Sequence, residues 1–185
     1  MITTPFKFEG PRRLGKAIAG VAHLNGKSHS IVEINSERIL VNTTTLARIS
    51  ESFYMADNVV SMGLSKTAGL LNHPNFPVRG LSEFCHIMSY PGAVSLAIWN
   101  GNGKIAIVDA VDNALNNPLL NLPIERAHGL IFHVTCTSNA YAASDSPIPN
   151  IIGAKLGGKI KSLGTVTIDD DVTPDSNVIL LATGI

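Results

Sequence analysis

Charge is scarce in this sequence. Only 15% of the 185 residues are Asp, Glu, Lys or Arg, against roughly 25% in an average soluble domain. The 14 basic side chains balance the 14 acidic ones to a formal charge of zero. No cluster of Lys and Arg is long enough to follow a phosphate backbone, which argues against a nucleic-acid partner. Long apolar runs are missing too. No window approaches the roughly 18 consecutive apolar residues of a membrane span. Residues 1–9 have neither the basic region nor the apolar stretch of a signal peptide. The expectation is a cytoplasmic protein that does not insert into membrane. Cysteine is limited to Cys85 and Cys136 without CxxC spacing, so both read as free thiols.

The familiar chemical signatures are also absent. GxxxxGK[ST] does not occur, and no Gly-rich loop joins an early strand to a helix. GAKLGGK, from Gly153 to Lys159, falls within a helical pattern and is a poor phosphate cradle. The six histidines form no HxxxH pair, and His86 beside Cys85 cannot share a helix face with it, so no metal site is expected. No GxSxG elbow anchors a hydrolase triad. Asp169, Asp170 and Asp171 lack the glycine and distal glutamate of a calcium loop and read as a solvated turn. On local chemistry alone, no active site is identifiable.

What the sequence does have is apolar material and periodicity. Hydrophobic residues make up 45%, enough for a core in a chain that buries about 70% of its unfolded surface. A thin charge coat at zero net charge suits a chain that covers part of its surface with a partner. Helical and strand patterns alternate throughout, the mark of an α/β protein. Residues 2–8 read as a strand running into a loop at Pro5. Leu14, Ala17, Ile18, Val21 and Ala22 make one helical face over 11–23, with Pro11 suited to the first turn. Residues 30–34 form a short strand, with Asn35 at its carboxyl end, where open α/β sheets place ligand contacts.

A helical stripe from Leu46 to Leu71 spans about 25 residues, or roughly 38 Å at 1.5 Å per residue. A helix that long is expected to join two units, and Pro74 and Pro77 in NHPNFPVRG stop it. Beyond it the pattern predicts a helix over 81–89, a strand over 93–99, a turn at Gly101-Asn102-Gly103 and a helix over 105–117 stopped by Pro118. A strand over 129–135 comes next, followed by the loop-like CTSNAYAASDSPIP. The chain closes with a glycine-interrupted helix over 148–163 and strands over 165–169 and 177–185.

Longer segments carry a resemblance. TTPFKFEGPRR, from Thr3 to Arg13, closely resembles the segment that follows a central strand in FtsZ, the tubulin-like bacterial cell-division GTPase. In order along the chain, INSERIL resembles that family's strand ending in Asn, and SFYMADNVV its long core helix. DNALNNPLL, HGLIFHVT and VILLATGI resemble its carboxyl-terminal domain. The fold this implies is α/β. A strand-helix-strand remnant of the GTPase domain occupies residues 1–45 and a long core helix 46–72. A two-layer FtsZ/tubulin-type domain with a four-stranded mixed sheet fills 73–185. The family's Gly-rich phosphate loop would lie before Ile2.

By motif position the resemblance places Glu9 and Arg13 near the ribose and phosphates of GTP or GDP, and Asn35, Phe53 and Asp57 around guanine. The chemistry agrees. Asn and Asp supply the donors and acceptors that distinguish guanine, Phe stacks on the base, and Arg offsets phosphate charge. Phe53 and Asp57 lie four apart on one helix and can face one pocket. Any Mg2+ would be held through the portion upstream. Hydrolysis in the family uses a loop with two acidic residues inserted against the nucleotide of the next subunit. With Met88 aligned to the family's methionine, Glu83 takes the second acidic position and Gly80 stands where the first belongs.

The resemblance therefore implies a cell-division filament component. Its partners are FtsZ-type subunits in head-to-tail contact, or a missing N-terminal half, and its location is cytoplasmic, at the division site when bound to FtsZ. The polypeptide by itself is expected to be inactive as a GTPase. It is also expected to lack the terminal peptide that recruits membrane tethers. The first rival is a non-catalytic FtsZ-like regulator that caps or poisons filaments. A small-molecule enzyme built around Cys85 and His86 is a third class.

Overall fold

The computed structural model describes residues 1–41, 48–72, 80–101, 106–117, 124–142, 150, 152–153, 160–173 and 175–185. The proline loop at 73–79, the expected turn at Gly101-Asn102-Gly103 beyond its first residue, Pro118 and most of GAKLGGK lie outside them.

The chain opens with β1 (Ile2–Thr4), which pairs in parallel with β2 (Glu33–Asn35) so that Ile2 faces Glu33 and Thr4 faces Asn35. Pro5 ends β1 because it has no N–H for a ladder. A 3-10 turn over Lys7–Glu9 and a positive φ of 92° at Gly10 then swing the chain into α1 (Pro11–Leu24), with Pro11 in the first turn. The expected strand over 30–34 sits further along as β2. It passes directly into α2 (Ser36–Val41), a six-residue helix too short for periodicity to reveal.

The core helix is α3 (Ile49–Leu71), whose first turn is closed by the Arg48 N–H donating to the Glu51 carboxylate at 2.8 Å. Its buried residues, Ser52, Ala56, Gly63 and Leu70, form a narrow line rather than a broad stripe. Gly63 lets the helix press against the neighbouring strand: a Cβ there would lie 2.7 Å from a Leu96 methyl and 3.1 Å from the Met1 sulfur.

The second layer follows as α4 (Gly80–Met88), β3 (Val94–Gly101), α5 (Ala106–Leu115), β4 (Gly129–Cys136), α6 (Ser138–Ala142), β5 (Lys161–Ile168) and β6 (Ser176–Thr183). The sheet order is β3-β6-β4-β5. β6 is antiparallel to both neighbours, while β4 and β5 run parallel. Side-chain alternation divides the core between the two faces. Leu130, Phe132, Val134, Val178, Leu180 and Ala182 pack with Val111 and Ala114 of α5. Ile131, Ile179, Leu181, Val94 and Leu96 pack with Leu70 of α3, Ile87 of α4, and Phe6 and Ile34 of the first unit. One apolar cluster thus runs from the two-stranded sheet through α3 to the four-stranded one. An isolated bridge from Val32 to Val94 adds a backbone tie between the sheets.

The helix expected over 148–163 is corrected at its end. Residues 152–153 are helical, but β5 begins at Lys161, because pairing along the whole of β4 gives those amides a ladder that a glycine-rich helix could not offer. Within the expected loop after β4, α6 forms because the Asp170 carboxylate accepts the Ser138 N–H at 2.7 Å, and that bond lowers the carboxyl pKa. Among the described residues, no helix is long and apolar enough to cross a membrane.

Candidate functional site

Parallel strands direct their following loops to one edge, and β1 and β2 both end there. Opposite each other in register, Thr4 and Asn35 close the two strands. The 3-10 turn that follows β1 is fastened to the start of α2. The Glu37 carboxylate accepts the Lys7 N–H at 3.0 Å and lies 3.8 Å from the Lys7 ammonium. The Asn35 side-chain oxygen accepts the Glu37 N–H at 3.0 Å, in the manner of a helix cap, and this fixes its amide group at the strand end.

Glu9 is turned inward. Its carboxylate accepts the Phe6 N–H at 2.8 Å and holds the Arg13 guanidinium at 3.1 Å, with the Glu9 side chain 8% exposed and that of Arg13 71% exposed. The pair therefore offers a ligand the Arg13 guanidinium rather than a free carboxylate. The inference from motif position that both residues serve the ribose and phosphates fits Arg13 more directly than Glu9.

Phe53, on the first turns of α3, stands edge-on to two other rings. Its centroid is 5.4 Å from that of Phe6 and 5.9 Å from that of Phe8, while Phe6 and Phe8 are stacked at 4.9 Å. Phe6 is buried, whereas Phe8 and Phe53 are 49% and 39% exposed, so the cluster is anchored at one ring and open at two. Asp57, one turn beyond Phe53, is exposed at the rim of an open groove of about 650 Å³ that Met1, Ile2 and Thr3 share with Val60, Ser61 and Leu64. Sequence reasoning had no signal for Phe8, Lys7 or Glu37, because their roles come from pairing between loops that are distant along the chain.

Glu83 is half-buried in the first turn of α4, which packs on β4 and β5, and Gly80 begins that helix as a buried residue. The hydrogen bonds and ring contacts around Asn35, Glu9 and Phe53 do not include Glu83, so the site residues form two groups on different elements. Cys85 and His86 follow on the same helix, both exposed. His86 packs against the Tyr90 ring, with centroids 5.3 Å apart. Among the described residues, no group of three His, Cys, Asp or Glu side chains could hold a metal ion.

The first group suits a planar, hydrogen-bonding ligand that carries negative charge. It combines exposed ring surface, an amide fixed at a strand end, a carboxylate one turn along and a solvent-facing guanidinium.

No protein-family model matches the chain. Solved structures do. A point-mutant FtsZ from M. jannaschii superposes with a TM-score of 0.85 at 22% identity, over 100% of this chain and 55% of that one. An empty FtsZ dimer from the same organism gives 0.82 at 23%, over 98% and 53%. GDP-form protofilaments of TubZ from Bacillus thuringiensis serovar israelensis give 0.70 at 15%, over 99% and 52%. The chain spans about half the length of the structures it matches. At these identities the likeness is one of fold, and the chain has the FtsZ/tubulin-type fold of the carboxyl-terminal portion of such proteins.

Proposed function

We propose that the chain works as a component of an FtsZ-like filament with two separate contributions to guanine-nucleotide chemistry. In this reading residues 1–45 belong to a nucleotide-binding unit, 46–72 to the core helix and 73–185 to the carboxyl-terminal domain. The observation that carries it is that Asn35 ends β2, that Arg13 is held by Glu9 of the turn after β1, and that Phe53 lies against Phe8 of the same turn, with Asp57 one helical turn along α3. Asn35 and Asp57 read the edge of guanine, the open rings take its face, and Arg13 offsets phosphate charge. Glu9 holds Arg13 in place. GTP, when bound, supplies the phosphoanhydride bond to be cleaved.

Glu83 serves the neighbouring subunit. Presented head to tail, α4 brings its carboxylate to the next nucleotide, where it orients the attacking water. Heterologous contacts of this kind propagate into filaments, and the likeness to an FtsZ dimer and to TubZ protofilaments supports that mode of association. Association with FtsZ-type subunits would take the chain to the division site.

Mixing the protein with M. jannaschii FtsZ, while following light scattering and GTP turnover, tests this. We expect turnover to rise with added protein and the Glu83→Ala variant to lose the increase. Equal stimulation by Glu83→Ala removes the catalytic role. The polypeptide alone is expected to bind GTP weakly, since no phosphate-cradling motif occurs in its 185 residues, and micromolar affinity by calorimetry contradicts that.

One observation favours a second reading. Gly80 begins α4 at the position where an acid is expected and is buried there, so only Glu83 remains to act on water. A chain that docks without completing catalysis caps filaments. It would lower scattering and leave turnover per remaining FtsZ contact unchanged.

A further inference from the structure

We infer that the cavity between the end of α1 and the turn from α4 to β3 binds a small organic cation of the alkylamine or guanidine class. The site is separate from the nucleotide edge. Glu33, which lines the cavity, opens β2, whereas Asn35 ends it. Helix α1, 14 residues long, leads from one place to the other over roughly 21 Å at 1.5 Å per residue.

The cavity measures about 500 Å³, within the range of small-molecule sites. One wall is the end of α1 with residues 28–33, and the other is residues 90–94. Both walls are fastened. The Ser28 N–H and hydroxyl donate to the Leu24 carbonyl at 3.1 and 2.9 Å. On the far side the Ala93 N–H donates to the Ile185 carbonyl at 3.1 Å, and the Ile185 N–H to the Ala93 carbonyl at 3.3 Å. Gly92 has a φ of 122°, and a Cβ there would lie 2.8 Å from the Ile185 carbonyl oxygen, so this tight turn admits glycine alone. The bridge from Val32 to Val94 joins the two walls.

The lining selects the ligand. Among its described residues Glu33 supplies a carboxylate, His29 and Tyr90 are the other ionisable groups, and neither Lys nor Arg is present. An anionic ligand would meet the Glu33 charge with no cation to offset it, and a cationic one is attracted. A carboxylate has about four acceptor positions, so Glu33 can receive a ligand N–H in addition to its contacts within the chain. Ser28 has given its only hydroxyl proton to Leu24, which leaves its oxygen as an acceptor.

Tyr90 contributes aromatic surface, held beside His86 and His128 with ring centroids 5.3 and 6.1 Å away. Aromatic rings attract ammonium and guanidinium groups. Val21, Ile31 and Val94 supply apolar surface for the carbon chain of the ligand. Such a cation touches both walls. It therefore holds the first unit against the four-stranded sheet at the Val32–Val94 bridge, and it stabilises the fold by mass action.

Spermidine is the probe, with triethylene glycol as an uncharged flexible chain, each titrated into the protein by calorimetry and by amide-resolved NMR. We expect spermidine to bind and the glycol not to, with amide shifts confined to residues 21–33 and 90–94 and a raised thermal midpoint. Glu33→Gln should weaken binding about tenfold, the loss of one charge-assisted hydrogen bond. Tyr90→Leu should weaken it about threefold, while Tyr90→Phe keeps the ring and stays near the parent. Ser28→Ala, at an exposed position, tests the acceptor set without Glu33 should Glu33→Gln fail to fold, with an expected loss of about threefold. Four outcomes overturn the inference: no spermidine binding, equal binding of the glycol, amide shifts around Asp169–Asp171 instead of the cavity, or unchanged affinity in folded Glu33→Gln or Ser28→Ala.

Discussion

Every residue of β4 and of β6 is buried, whereas α1 buries none of its fourteen. The four-stranded sheet is clad on one side by α5 and on the other by α3 and α4, so its two central strands, β4 and β6, are buried on both faces. The first unit has two short strands, a bare helix and a set of polar groups gathered at one edge. The contrast separates stability from chemistry. The sheet holds the fold together, and the thin unit leaves the polar groups at its edge accessible because, among the described residues, little is packed over them.

Substitutions that trade packing between the two regions should show this first. Leu180→Ala, at a fully buried position facing α5, should cost about 2–5 kcal/mol, while Leu14→Ala on α1 should stay within about 0.5 kcal/mol. Urea midpoints for the two variants check the pair, and similar losses would erase the distinction.

Next in size is Gly164→Ala. The added methyl would sit 2.5 Å from the Phe132 ring. Overpacking against the buried Phe132 ring costs about 1–3 kcal/mol, so the thermal midpoint should drop even though alanine suits a strand better than glycine.

A smaller effect belongs to alkaline solution. Burial of Cys136 pushes its thiol up to about 11 from 9.0. The unfolded chain therefore gives up this proton before the folded one does. Stability from this group is intact below pH 9 and falls as pH climbs toward 11. Denaturation measured across that range should lose part of its slope in Cys136→Ala.

The smallest expected change in stability is that of Arg13→Ala, since the guanidinium is 71% exposed and exposed ion pairs contribute at most about 1 kcal/mol. Its test is a ligand assay. Nucleotide affinity should fall while the urea midpoint stays in place, which would mark a residue kept for chemistry alone.

Periodicity made most of the large elements legible. The described part of the stripe from Leu46 to Leu71 forms α3 over Ile49–Leu71, and the apolar runs at 129–135 and 177–185 became the two central strands. The readings failed where tertiary pairing decides. At Lys161 a ladder with β4 overrode a weak helical pattern. Ser36–Val41 forms a helix that rests on a cap from Asn35 rather than on any long apolar repeat. The candidate site was reached through resemblance, because Asn35, Arg13 and Phe53 belong to no local motif. The sequence could not disclose that Glu9 is spent on Phe6 and Arg13, or that Phe8 joins Phe53. Those facts depend on where Pro5 and Gly10 turn the chain.

The strand order has a consequence for synthesis. β6, last in sequence among the described strands, lies between β3 and β4 and is the only long partner β3 has. As the chain leaves the ribosome, β4 and β5 can zip together early, but β3, although α3 and α5 can already cover its side chains, must wait about eighty residues for its ladder partner until residues 176–183 emerge. Folding of the sheet therefore ends as an insertion into its middle. Holding β3 out of aggregation during that interval is work for a chaperone.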